Sequence, residues 1–114
     1  MKYQDIILSA YENFNSRNID EVFKTMNANV RWPNGWEGGY VSGFEEIRDY
    51  WNRQWKEIDP NVEPTGFKNL ENDKVEVNVH QVAKDLSGKT IFDGHIKHIY
   101  TFENGLIKSM EIEA

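Results

Sequence analysis

The sequence predicts an α+β domain, with three N-terminal helices packed on a curved antiparallel sheet. Two observations carry this: apolar spacing follows a helical period up to about Ile58, and after Pro64 it follows the period of two that strands require. A third is size, since 114 residues make one domain, assigned to residues 1–114.

Tyr3, Ile6, Ile7, Ala10, Tyr11 and Phe14 form the apolar stripe of a first helix. Asn18 with Glu21 reads as an N-cap for a second, whose apolar side is Val22, Phe23 and Met26. Val30 to Trp32 read as a short strand stopped by Pro33, Asn34 and Gly35, and Gly38, Gly39 and Gly43 mark a flexible loop around Tyr40. Ser42 and Glu45 form a capping box for the third helix, which carries Phe44, Ile47, Trp51, Trp55 and Ile58 and ends at Asp59 and Pro60. Four strands follow: a short one near Phe67, then Val75 to Lys84, Lys89 to Phe102, and Leu106 to Ile112.

Loop length sets which side chains share a face. A three-residue loop at Leu86, Ser87 and Gly88 pairs Asp85 with Lys89 and sets even-numbered residues opposite even-numbered ones. The inner face then carries Asn78, His80, Val82, Phe92, Ile96, His98, Tyr100 and Phe102. A three-residue loop at Glu103 to Gly105 adds Leu106, Met110 and Ile112. The outer face would hold Val75, Val77, Val79, Gln81, Ala83, Ile91, His95, Lys97, Ile99 and Thr101, apolar enough to predict a homodimer through it.

Composition narrows the function. Nineteen acidic against 13 basic residues argue against nucleic-acid or anionic-membrane partners. No run approaches the roughly 20 apolar residues of a membrane span, and the start lacks a secretory leader's apolar segment, so a cytoplasmic protein is expected. The absence of cysteine removes thiolate chemistry. His95 and His98 lie three apart on a strand and so point to opposite faces. Neither a metal nor a cofactor is expected. Six Phe, five Tyr and four Trp are many for this length, and they either fill a core or line a hollow.

The order of elements, with Asn18 to Glu21, Val30 to Gly35, Ser42 to Ile47, His80 to Gly88 and Tyr100 to Ile107, resembles the NTF2-like superfamily and, within it, the SnoaL-like, ketosteroid-isomerase-like proteins. The resemblance implies a cone-shaped barrel, open at one end, with a pocket between helices and sheet, and dimers through the outer sheet face. It places the ketosteroid-isomerase base position on Asn34, the fourth-strand acid on His98 and the tyrosine on Ala10, one residue from Tyr11; all three differ from that enzyme's residues. Asn cannot take a proton from carbon, so that chemistry is not expected in its usual form.

Two histidines remain as acid/base candidates, His98 and His80, because an imidazole titrates near neutrality. The same two residues can equally be hydrogen-bonded histidines without catalytic duty. Candidate ligand contacts are Asn34, Tyr11, Trp32, Trp36, Tyr40, Trp51, Trp55, Asn78, Tyr100 and Met110, with Trp51 and Trp55 alternatively core. The expected partner is a small, mostly apolar molecule, with isomerase, cyclase or dehydratase activity or simple binding and protein interaction as the two alternatives.

Overall fold

The structure is a computed structural model and describes residues 3–113. Helix α1 (Gln4–Asn15) buries Ile7, Ala10 and Tyr11 and ends where Arg17 takes a left-handed φ of 64°. Helix α2 (Ile19–Phe23) leads into strand β1 (Met26–Pro33), followed by β2 (Tyr40–Ser42) and helix α3 (Gly43–Trp55). Two helices therefore precede the sheet and the third is inserted after its second strand. The Ser42 end uses a variant of the expected box: the Ser42 N–H donates to Glu46, 2.8 Å away, and no side chain caps either α2 or α3.

The chain then forms β3 (Ile58–Asn69), β4 (Lys74–Asp85), β5 (Thr90–Glu103) and β6 (Leu106–Glu113). Ile58 opens β3 instead of extending α3, so that strand is much longer than the sequence predicts. Its two prolines, Pro60 and Pro64, obscure it in the sequence, yet both are tolerated because β3 is an edge strand and no outer neighbour needs their missing N–H. The sheet is open, in the order β2-β1-β6-β5-β4-β3. It is antiparallel except where β1 runs parallel to β6.

Register departs from expectation at one residue. The hairpin after β4 begins as predicted, with Asp85 N–H donating to Lys89 and Gly88 at φ 94°, but Lys84 pairs with Thr90 and Ala83 with Phe92, leaving Ile91 as a bulge. Beyond it odd residues of β4 meet even residues of β5. Val75, Val77 and Val79 therefore face inward and are fully buried, alongside His98, Tyr100 and Phe102. Asn78 and His80 face outward. The outer face consequently carries Glu76, Asn78, His80 and Val82 beside Asp93, His95, Lys97, Ile99 and Thr101; of the apolar residues expected there, Val75, Val77, Val79 and Ala83 lie inside the domain and Ile99 stays outside.

At the next turn the expected three-residue loop is a two-residue one. Asn104 and Gly105 both have positive φ, 54° and 81°, and Glu103 pairs with Leu106. A second bulge, at Lys108, sets Met110 opposite Tyr100 and Ile112 opposite His98, so both reach the inner face as predicted, with Ile107 buried in place of Leu106. Trp51 anchors the helices on this face. Its ring meets Phe14, Trp32 and Trp55 at centroid distances of 5.2, 5.9 and 5.9 Å. No helix among the described residues is long and apolar enough to cross a membrane.

Candidate functional site: an apolar cavity with a Tyr–His floor

The curved sheet and helices α1 and α3 leave a cavity of about 430 Å³ between them. This is within the range of small-molecule sites. Its aromatic walls are Trp32 from β1, Trp51 from α3 and Phe14 from α1, and the sheet contributes Val62, Ile96 and Met110. Trp36, Ile91, Phe92 and Ile112 also line it while remaining exposed, which makes them its mouth. None of the described residues lining the cavity is Asp, Glu, Lys or Arg.

At the buried end stands His98, 6% exposed, whose Nδ1 lies 2.7 Å from the Tyr11 hydroxyl. Burial lowers the pKa of His98 to about 4, since an imidazolium there would lose its water. Burial likewise raises Tyr11 well above the usual phenol value, with the Tyr100 phenol adding to the effect. Both groups are therefore neutral at pH 7. Nε2 has no partner among the described residues. It is a donor in the tautomer whose Nδ1 accepts the Tyr11 hydrogen bond, and an acceptor in the tautomer whose Nδ1–H donates to the Tyr11 oxygen. Tyr11→Phe removes this bond and leaves Nδ1 buried and unpaired; a loss of about 1–3 kcal/mol in urea unfolding is expected.

Of the residues singled out in the sequence, Tyr11, Trp32, Trp36, Trp51, His98, Tyr100 and Met110 line the cavity. Asn34 is buried but does not line it. Its Oδ1 accepts from the N–H groups of Trp36 and Glu37 at 3.2 and 2.7 Å, and its Nδ2 donates to Glu37 at 2.9 Å. The amide is consumed in shaping the turn that delivers Gly35 and Trp36 to the mouth. Tyr40 is on the surface, beneath the Arg31 guanidinium at 3.6 Å, with its hydroxyl on Glu111. Trp55 packs behind Trp51 and Phe14 with Arg17 over its ring at 4.9 Å. His80 and Asn78 are on the opposite side of the sheet because of the Ile91 bulge. There His80 Nε2 lies 2.6 Å from Asp93, and its ring stacks on His95 at 4.8 Å.

Sequence reasoning missed three polar or phenolic lining residues, Tyr50, Gln54 and Gln81. Gln54 had a visible signal: Ile47, Tyr50, Trp51 and Gln54 follow one another at steps of three, one and three, so a glutamine sits on a buried stripe. Gln81 had none, because the bulge reverses its face.

No protein-family model matches the sequence, and no curated protein matches it at a significant level. Solved structures do match. TerC co-crystallised with polyporic acid superposes with a TM-score of 0.86 at 24% identity, covering 98% of this chain and 90% of that one. An NTF2-like protein of unknown function from Burkholderia pseudomallei gives 0.86 at 19% identity over 99% and 90% of the two chains. A protein from Sinorhizobium meliloti, described as a proposed polyketide cyclase, gives 0.80 at 18% over 96% and 94%. Fold and cavity together define the class: the chain has the NTF2-like fold, with an uncharged hollow on the concave side of its sheet.

Proposed function

We propose that this domain binds an uncharged, mostly apolar ring compound in the cavity, with a polar edge of the ligand turned towards His98 Nε2. The observation that carries the reading is the lining. It is aromatic and aliphatic, without a charged side chain among the described residues, around a histidine that stays neutral at pH 7. An ion buried there would lose its hydration without finding a counter-charge. That TerC, a protein of the same fold, was co-crystallised with polyporic acid supports a small organic ligand for this fold, though not its neutral charge.

A second reading, turnover by an isomerase- or cyclase-type reaction, is favoured by the placement of His98. A neutral imidazole N–H can polarise a ligand carbonyl, which is one half of enolisation chemistry. The other half, a base, would fall to the same Tyr11–His98 pair, because His80 is on the far side of the sheet. A histidine with so low a pKa is a weak base, so binding is the reading the geometry supports best.

Equilibrium dialysis with naphthalene and with 2-naphthoate tests the reading. Naphthalene is expected to bind at least about tenfold more tightly than the anion, the equivalent of about 1.4 kcal/mol. Preference for the anion, or failure of both naphthalene and the related lactam 2-quinolone to bind, would overturn it.

A further inference from the structure

Gln54 is an unusual choice for its position. It lies on the inward stripe of α3, one turn from Trp51, is only 9% exposed, and lines the cavity. Its side chain makes no hydrogen bond with any other described residue. Leu or Met would fill the same place with equal helix propensity and no polar group to satisfy. An amide without a protein partner that still opens onto the cavity bonds with water there, or with what replaces it. Water can serve while the cavity is empty. An occupant that displaces the water must replace its bonds or lose affinity.

We propose that the Gln54 amide is the specificity-determining contact of the cavity, selecting neutral ring compounds that carry a hydrogen-bond donor beside an acceptor, as a lactam or an enolised hydroxyketone does. The inference rests on the ligand-binding reading above and adds the chemical pattern the ligand must show. A primary amide presents a carbonyl acceptor and N–H donors side by side, which matches such a pair and leaves a pure hydrocarbon facing unpaired polar atoms. A site built to hydrogen-bond its ligand rejects an analogue lacking those groups far more strongly than an apolar site rejects a shape change. His98 Nε2, like the Gln81 amide, also lines the cavity without a side-chain hydrogen bond to a described residue, and both stay available in a Gln54 variant.

Two probes of nearly the same shape isolate the contact: 2-quinolone, a bicyclic lactam, and naphthalene, which has no polar atom. Their affinity ratio is measured by equilibrium dialysis on the whole chain, with thermal unfolding as the control for folding. For the unaltered protein 2-quinolone is expected to bind about tenfold more tightly or better. In Gln54→Leu the ratio is expected to fall about tenfold, with the quinolone weakened and naphthalene strengthened, and the melting temperature not lowered. Gln54→Glu, which keeps the shape and removes the N–H donors, is expected to lower the ratio as well. If naphthalene and quinolone both fail to bind the unaltered protein, the cavity reading fails and this inference with it. If both bind and neither variant moves the ratio, the cavity stands as a ligand site and the role given to Gln54 is wrong.

Discussion

Val79→Asp is expected to unfold the domain or bring it to the edge of unfolding, while Asn78→Asp, one residue earlier, changes stability by no more than about 0.5 kcal/mol. Val79 is fully buried opposite Ile96, and Asn78 is exposed on the outer face. A carboxylate forced into the first position finds no counter-charge and costs about 3–5 kcal/mol or more, against a total stability of about 5–15 kcal/mol for a domain. Urea unfolding followed by tryptophan fluorescence measures both. The pair tests the register directly, because the alternative pairing exchanges the two faces. If Asn78→Asp proves the damaging change, β4 is one residue out of place.

The second large effect is acid sensitivity from His98. Its pKa lies at about 4 in the folded chain against 6.5 for an unperturbed histidine, because burial disfavours the charged ring. Between these values the unfolded chain takes up a proton that the folded chain refuses. Stability from this group is therefore complete above pH 6.5 and is lost as the pH falls towards 4, by about 3 kcal/mol in all. His98→Phe is expected to flatten the profile through that window, in urea unfolding series from pH 7 to pH 4.5. Glu37, held low by Arg53 first and Asn34 second, titrates in both proteins and cancels in the comparison. Equal slopes for the two proteins would show that His98 is not neutral and buried in solution.

The sequence made some parts of this molecule legible and hid others for identifiable reasons. The stripes of α1 and α3 were plain because each helix has one solvent face and one core face, so Ile7, Tyr11, Ile47 and Trp51 recur at helical spacing. The β3 strand was hidden by Pro60 and Pro64, which are breakers anywhere but at a sheet edge. The inward face of β4 is hidden because nothing local marks Ile91 as an extra residue; it is apolar and β-branched, like the ladder residues around it. His98 and Tyr11 nevertheless came out together, since β5 keeps its even residues inward from Phe92 on under either register. Asn34 was placed at the mouth, where its turn does lie, but a turn-forming amide and a ligand-binding amide look alike until their hydrogen-bond partners are known.

The two bulges differ in what they do to parity, the odd or even count of residues separating two inward side chains. At Lys108 the extra residue compensates for a turn one residue shorter than expected, and Met110 and Ile112 reach the same face by either route. At Ile91 nothing compensates, and the inward set of β4 changes from even to odd. Parity belongs to the whole connection between two strands, so an added residue has the same effect on a distant face whether it sits in the turn or in the strand. Hairpin tips are ordinarily where a chain tolerates changes of length; in this fold a single-residue change at the β4–β5 tip is a change to the cavity wall unless the bulge is gained or lost with it.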